Sequence, residues 1–82
     1  MDEKTLREHL AEAEAQVAKG LQHLAEQRAV IAELERDGHD TKTARELFAT
    51  LMQSQELHIE HRDRLKREFG IPWWLDAVFS KR

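Results

Sequence analysis

Seam positions recur along this chain in steps that alternate three and four. They run first through Leu6, Leu10, Ala13, Val17, Gly20, Leu24, Gln27, Ile31 and Leu34, then through Ala44, Leu47, Leu51, Ser54, His58, His61 and Leu65. Such steps keep a single narrow stripe on one side of a helix. The two stripes flank Arg36-Asp37-Gly38-His39-Asp40-Thr41, a segment with turn chemistry. The pattern predicts an all-α chain built as a long antiparallel two-helix hairpin, coiled-coil-like, over residues 1–69. Helix 1 is expected over about 5–36, the loop over 37–41 and helix 2 over about 42–68.

The element ends carry their own signals. Thr5 with Glu8 reads as a capping box, and Thr43 with Glu46 repeats it, with Asp40 and Thr41 as further candidates to cap helix 2. Gly38 is the stop for helix 1, since glycine tolerates the left-handed backbone that commonly ends helices. Gly70 and Pro72 mark the end of helix 2. A first helix of some 30 residues would be about 45 Å long at 1.5 Å per residue, so the expected shape is a rod.

Folding the rod back about its loop pairs Leu34 with Ala44, Ile31 with Leu47, Gln27 with Leu51, Leu24 with Ser54, Gly20 with His58 and Val17 with His61. Glycine within a helix costs up to about 1 kcal/mol relative to alanine, so Gly20 calls for a reason. Room for the His58 imidazole supplies one, and Gly20, His58 and His61 are expected to form a polar core layer that fixes register. Beside the seam, Glu14 is expected to pair with Arg62, Arg28 to lie over Phe48 and Arg7 over Phe69. If both imidazoles were buried and neutral, acid would destabilise the fold from near pH 6.

A second strip runs beside the seam. Ala11, Ala18, Ala25 and Ala32 are spaced seven apart, with Leu21 next to them, and helix 2 places Phe48, Met52 and Ile59 on the same side. Alanine alone would reflect helix propensity, but Phe48, Met52 and Ile59 do not. An isolated hairpin buries few side chains against about 1 to 2 kcal/mol of backbone ordering per residue. The eight strip residues are therefore the expected dimer interface, giving a four-helix bundle from two hairpins.

Composition narrows the functional classes. The chain has 82 residues, no cysteine, 35% charged residues and a net charge of −3. Without cysteine there is no disulfide framework, and without a basic stripe generic nucleic-acid binding is not expected. The opening Met-Asp-Glu-Lys does not read as a signal peptide and no apolar run approaches the roughly 20 residues of a membrane span, so a cytoplasmic location is expected. Residues 70–82 form a separate segment, a short helix or tail that holds both tryptophans and the only proline and ends in Lys81 and Arg82. Its Ile71, Trp73, Trp74, Leu75, Val78 and Phe79 have three readings: packing over the open end of the hairpin near Leu6 and Leu10, capture of a protein partner, or attachment to a membrane surface.

His58 and His61 stand at i and i+3, near enough for one metal ion, but they match neither the His-Glu-x-x-His of zinc proteases nor the Glu-x-x-His of di-iron bundles. No metal or other cofactor is expected, and a metal- or pH-responsive bundle is the alternative reading for this pair. No nucleophile stands beside a base and no glycine-rich phosphate loop occurs, so enzymatic activity is not expected. The principal expectation is a small interaction or adaptor module.

Three stretches carry a resemblance: Leu6-Arg-Glu-His-Leu-Ala-Glu-Ala-Glu14, Ala32-Glu-Leu-Glu-Arg-Asp-Gly-His-Asp-Thr41 and Leu57-His-Ile-Glu-His-Arg-Asp-Arg-Leu65. Over residues 6–68 the chain resembles a group of short alphaproteobacterial helical-hairpin proteins, most specifically in the loop. That group has no assigned activity, and its pattern does not extend to the aromatic segment.

Overall fold

The computed structural model describes residues 2–68. Helix α1 spans Glu3–Arg36 and helix α2 spans Lys42–Glu68, and the two pack against each other as a hairpin. The C-terminal apolar residues Ile71, Trp73, Trp74, Leu75, Val78 and Phe79, and the expected Arg7–Phe69 contact, lie outside the described residues.

Helix α1 begins earlier than Thr5. Asp2 is extended and its carboxylate accepts from the Thr5 backbone N–H at 2.7 Å, so Asp2 is the N-cap and Thr5 stands inside the first turn. That bond, reinforced by the Thr5 hydroxyl, holds the Asp2 carboxyl below its ordinary value. A lowered folded value means that the cap contributes fully above about pH 4, the unfolded range, and is lost as pH falls through the folded value. Protection of the Thr5 amide, its exchange compared with that of an unprotected amide at the same pH, should accordingly fall as pH drops through the folded value of Asp2, and Asp2→Ala should abolish the transition.

The other end of α1 closes as expected. Gly38 has φ +75°, its N–H donates to the Glu35 carbonyl at 3.1 Å, and the His39 N–H donates to the Leu34 carbonyl at 2.8 Å. These are the two bonds of a Schellman stop. A β-carbon on Gly38 would meet nothing within 4 Å, so Gly38→Ala tests backbone strain alone. The expected loss is about 1 kcal/mol, read from urea melts.

Helix α2 starts at Lys42, so Thr43 is not its cap. Asp40 accepts from the Lys42 N–H at 3.0 Å, and the Thr41 carbonyl accepts from the Arg45 N–H at 2.9 Å. Arg45 also donates to the Thr41 hydroxyl at 2.9 Å and pairs with Glu35, strapping the loop to the end of α1.

Between the helices the α1 seam lies as the sequence predicts. Leu6, Ala13 and Val17 are buried, and Leu10, Gly20, Leu24, Gln27, Ile31 and Leu34 are half-buried. The α2 seam is rotated. Ala44, Leu51, His58 and Leu65 do face inward, but the positions between them are Phe48, Gln55 and Arg62, whereas Leu47, Ser54 and His61 are exposed. A heptad fixes the shared column only; the second column goes to whichever residue finds a partner, and Phe48 and Gln55 find better ones.

The core is thin. Among the described residues four apolar side chains are buried, Leu6, Ala13, Val17 and Leu65, and Leu6, Ala13 and Leu65 cluster at the open end with Leu10 against them.

Candidate interaction face

Two glutamines set the register from which the surface follows. From α2, the Gln55 side-chain amide donates to the Val17 carbonyl at 2.8 Å; from α1, Gln27 donates to the Ala44 carbonyl at 2.9 Å. Gln55 is only 5% exposed, and its side-chain oxygen rests on Gly20 without a hydrogen-bond donor. The polar layer thus consists of Gly20 and Gln55. This corrects the expected Gly20–His58–His61 layer: register is shifted by roughly three residues along α2, His58 is half-buried and His61 is exposed. Acid destabilisation through two buried neutral imidazoles falls with that layer. The clue in the sequence was a glutamine within reach of an otherwise costly helical glycine.

With the seam fixed, the 100° turn per residue assigns every other stripe to a side. Arg28 lies over the Phe48 ring at 5.3 Å, as the sequence predicts, and Glu35 pairs with Arg45. These contacts show which flanks adjoin. Arg7, Glu14, Leu21, Arg28 and Glu35 of α1 therefore share one face with Arg45, Met52 and Ile59 of α2, and Ala11, Ala18, Ala25 and Ala32 border it. The expected Glu14–Arg62 pair is replaced by Arg62 with its neighbour Asp63, at 3.1 Å.

On this face Leu21 is 59% and Met52 45% exposed, the four alanines are exposed, and Phe48 and Ile59 are half-buried. Near the loop the face hollows into an open groove of about 450 Å³ lined by Arg28, Ile31, Ala32, Glu35, Arg45 and Phe48. An apolar floor with a polar rim suits the docking of a helix. The opposite face carries His9, Gln16, His23 and Val30 of α1 beside Leu47, Ser54 and His61 of α2. Val30 and Leu47, both exposed, form a smaller apolar spot there that seam counting concealed by turning Leu47 inward.

Among the described residues no three His, Asp or Glu side chains gather in a way that could hold a metal ion, so His58 and His61 have no third ligand there. Nor is any described helix long and apolar enough to cross a membrane. Set against known protein families, characterised proteins and solved structures, the chain matches none. The loop resemblance is carried by its residues alone.

Proposed function

We propose that this chain is a small non-enzymatic interaction module that homodimerises through the face of Leu21, Phe48, Met52 and Ile59, two hairpins forming a four-helix bundle. The observation that carries the reading is the exposure of Leu21 and Met52 beside Phe48 and Ile59 in a chain whose own core holds four buried apolar side chains among the described residues. Burial of two such side chains at about 1.5 to 3 kcal/mol each adds substantially to so thin a core.

Light scattering over a range of concentrations tests it. The wild-type chain is expected to be a dimer whose mass falls on dilution and does not depend on zinc. Met52→Glu is expected to give a monomer with helical circular dichroism retained, whereas Leu47→Glu, on the opposite face, leaves the dimer intact. A monomer at every concentration, or a dimer broken by Leu47→Glu and not by Met52→Glu, overturns the reading.

A further inference from the structure

The face that self-association would use has an internal symmetry. Along α1 its central stripe reads Arg7, Glu14, Leu21, Arg28, Glu35. Reversed about Leu21, every position meets the opposite charge: Arg7 meets Glu35, Glu14 meets Arg28, and Leu21 meets itself. The bordering alanines obey nearly the same centre, with Ala18 set against Ala25 and Ala11 against Ala32. Along α2, Met52 and Ile59 exchange about a point between Gln55 and Glu56, and Gln55 is the residue level with Gly20 across the hairpin. The centres on the two helices therefore lie within about two residues of each other, or about 3 Å of rise.

We infer that the partner of this face is a second copy docked antiparallel, α1 on α1 and α2 on α2, with a two-fold axis passing beside Leu21. This deepens the dimer reading and rests on it. A two-fold axis perpendicular to the helices makes each contact occur twice, so both opposite-charge pairs are doubled while Leu21 packs on its own copy. The small alanines let the two α1 helices approach closely. Docking the copies parallel instead faces α1 with α2 of the other copy, which sets Arg7 against Lys66 and Arg28 against Arg45. That arrangement forgoes the doubled Arg7–Glu35 and Glu14–Arg28 pairs, and their loss disfavours it. The antiparallel arrangement has its own cost on α2, where Arg45 comes level with Lys66 of the second copy and Glu56 with its counterpart. Arg45 carries the Glu35 carboxylate of its own chain there, and Asp63 lies one turn from Lys66.

The full chain has no cysteine, so single cysteines report geometry directly. Leu21 is largely exposed, and Leu21→Cys leaves the hairpin core untouched. Mild oxidation should convert Leu21→Cys to a disulfide dimer at least tenfold faster than Leu57→Cys on the outer side of α2, since a disulfide needs Cα atoms about 4.4–6.8 Å apart. Glu14→Arg alone should weaken the dimer roughly tenfold, because it sets a second guanidinium against Arg28 of the other copy. Adding Arg28→Glu should restore affinity to within about threefold. Residues 14 and 28 are about 21 Å apart along one helix, so this rescue has to pass between copies. If a concentration-dependent dimer forms but either the cysteine preference or the charge-swap rescue is missing, the two-fold placement is wrong and self-association stands. If the wild-type chain is a monomer throughout, both fall.

Discussion

Gly20→Ala is expected to destabilise the hairpin by about 1 to 2 kcal/mol, against the usual sign for an exposed helix, where alanine gains about 1 kcal/mol over glycine. The added methyl collides with the Gln55 side-chain oxygen and comes within 2.7 Å of the amide carbon. A flexible end could swing aside cheaply at the surface, but Gln55 is buried and its nitrogen is committed to the Val17 carbonyl. Moving it loses a hydrogen bond of about 0.5 to 1.5 kcal/mol and strands a buried amide at a further cost of about 1 to 3 kcal/mol. Truncating Gln55 reverses the balance. In a Gln55→Ala background the methyl enters vacated space, so Gly20→Ala there should stabilise by about 1 kcal/mol. The double-mutant cycle, measured by urea melts at one protein concentration, should give a coupling of about 2 to 3 kcal/mol. Equal effects in both backgrounds would show that Gln55 does not occupy the space above Gly20.

Leu65→Ala should cost about 2 to 3 kcal/mol, the low end for a buried leucine because the open end of a hairpin can partly relax into the void. Leu65 is 5% exposed and is the α2 member of the cluster with Leu6 and Ala13. Proteins of this size hold only a few kcal/mol in reserve, so the loss should be visible as an opening of one end before global unfolding. Hydrogen exchange should accelerate at amides around Leu10 and Arg62 and much less near Gln27 and Ala44. Uniform acceleration along both helices would show a single cooperative unit instead.

Much of this fold was legible in the residues. The α1 seam needed only its period, and the loop needed only Gly38, because a left-handed stop is a local property. The start of α1 was misread since Thr5 forms a plausible box with Glu8, yet Asp2 is the stronger cap and starts the helix at Glu3. On α2 the shared column of Ala44, Leu51, His58 and Leu65 was legible, but the choice between Leu47 and Phe48, Ser54 and Gln55, or His61 and Arg62 was not. Each pair is neighbouring in sequence and differs by a fraction of a turn, so local hydrophobicity cannot decide it. The decision is made across the hairpin, by the space over Gly20 and by the Arg28 guanidinium over Phe48. Of the candidate face, the strip along α1 was readable from its spacing, while its alignment with Met52 and Ile59 required the register that Gln55 sets.

The two glutamine bonds also fix an order of assembly. Gln27 reaches Ala44 across 17 positions of chain and Gln55 reaches Val17 across 38, while the Leu6–Leu65 cluster spans nearly the whole described length. Closing each longer loop from the unfolded chain costs little more than the last, about 0.6 kcal/mol per doubling, but every inner contact shortens the loop left to close. Loop entropy therefore favours zipping from Gly38 outward, Gln27 engaging first and Gln55 second, and predicts that the open end joins after the barrier is passed. Leu65→Ala then speeds unfolding while leaving the folding rate nearly unchanged, and the end of the molecule that holds most of its buried side chains is the end that forms last.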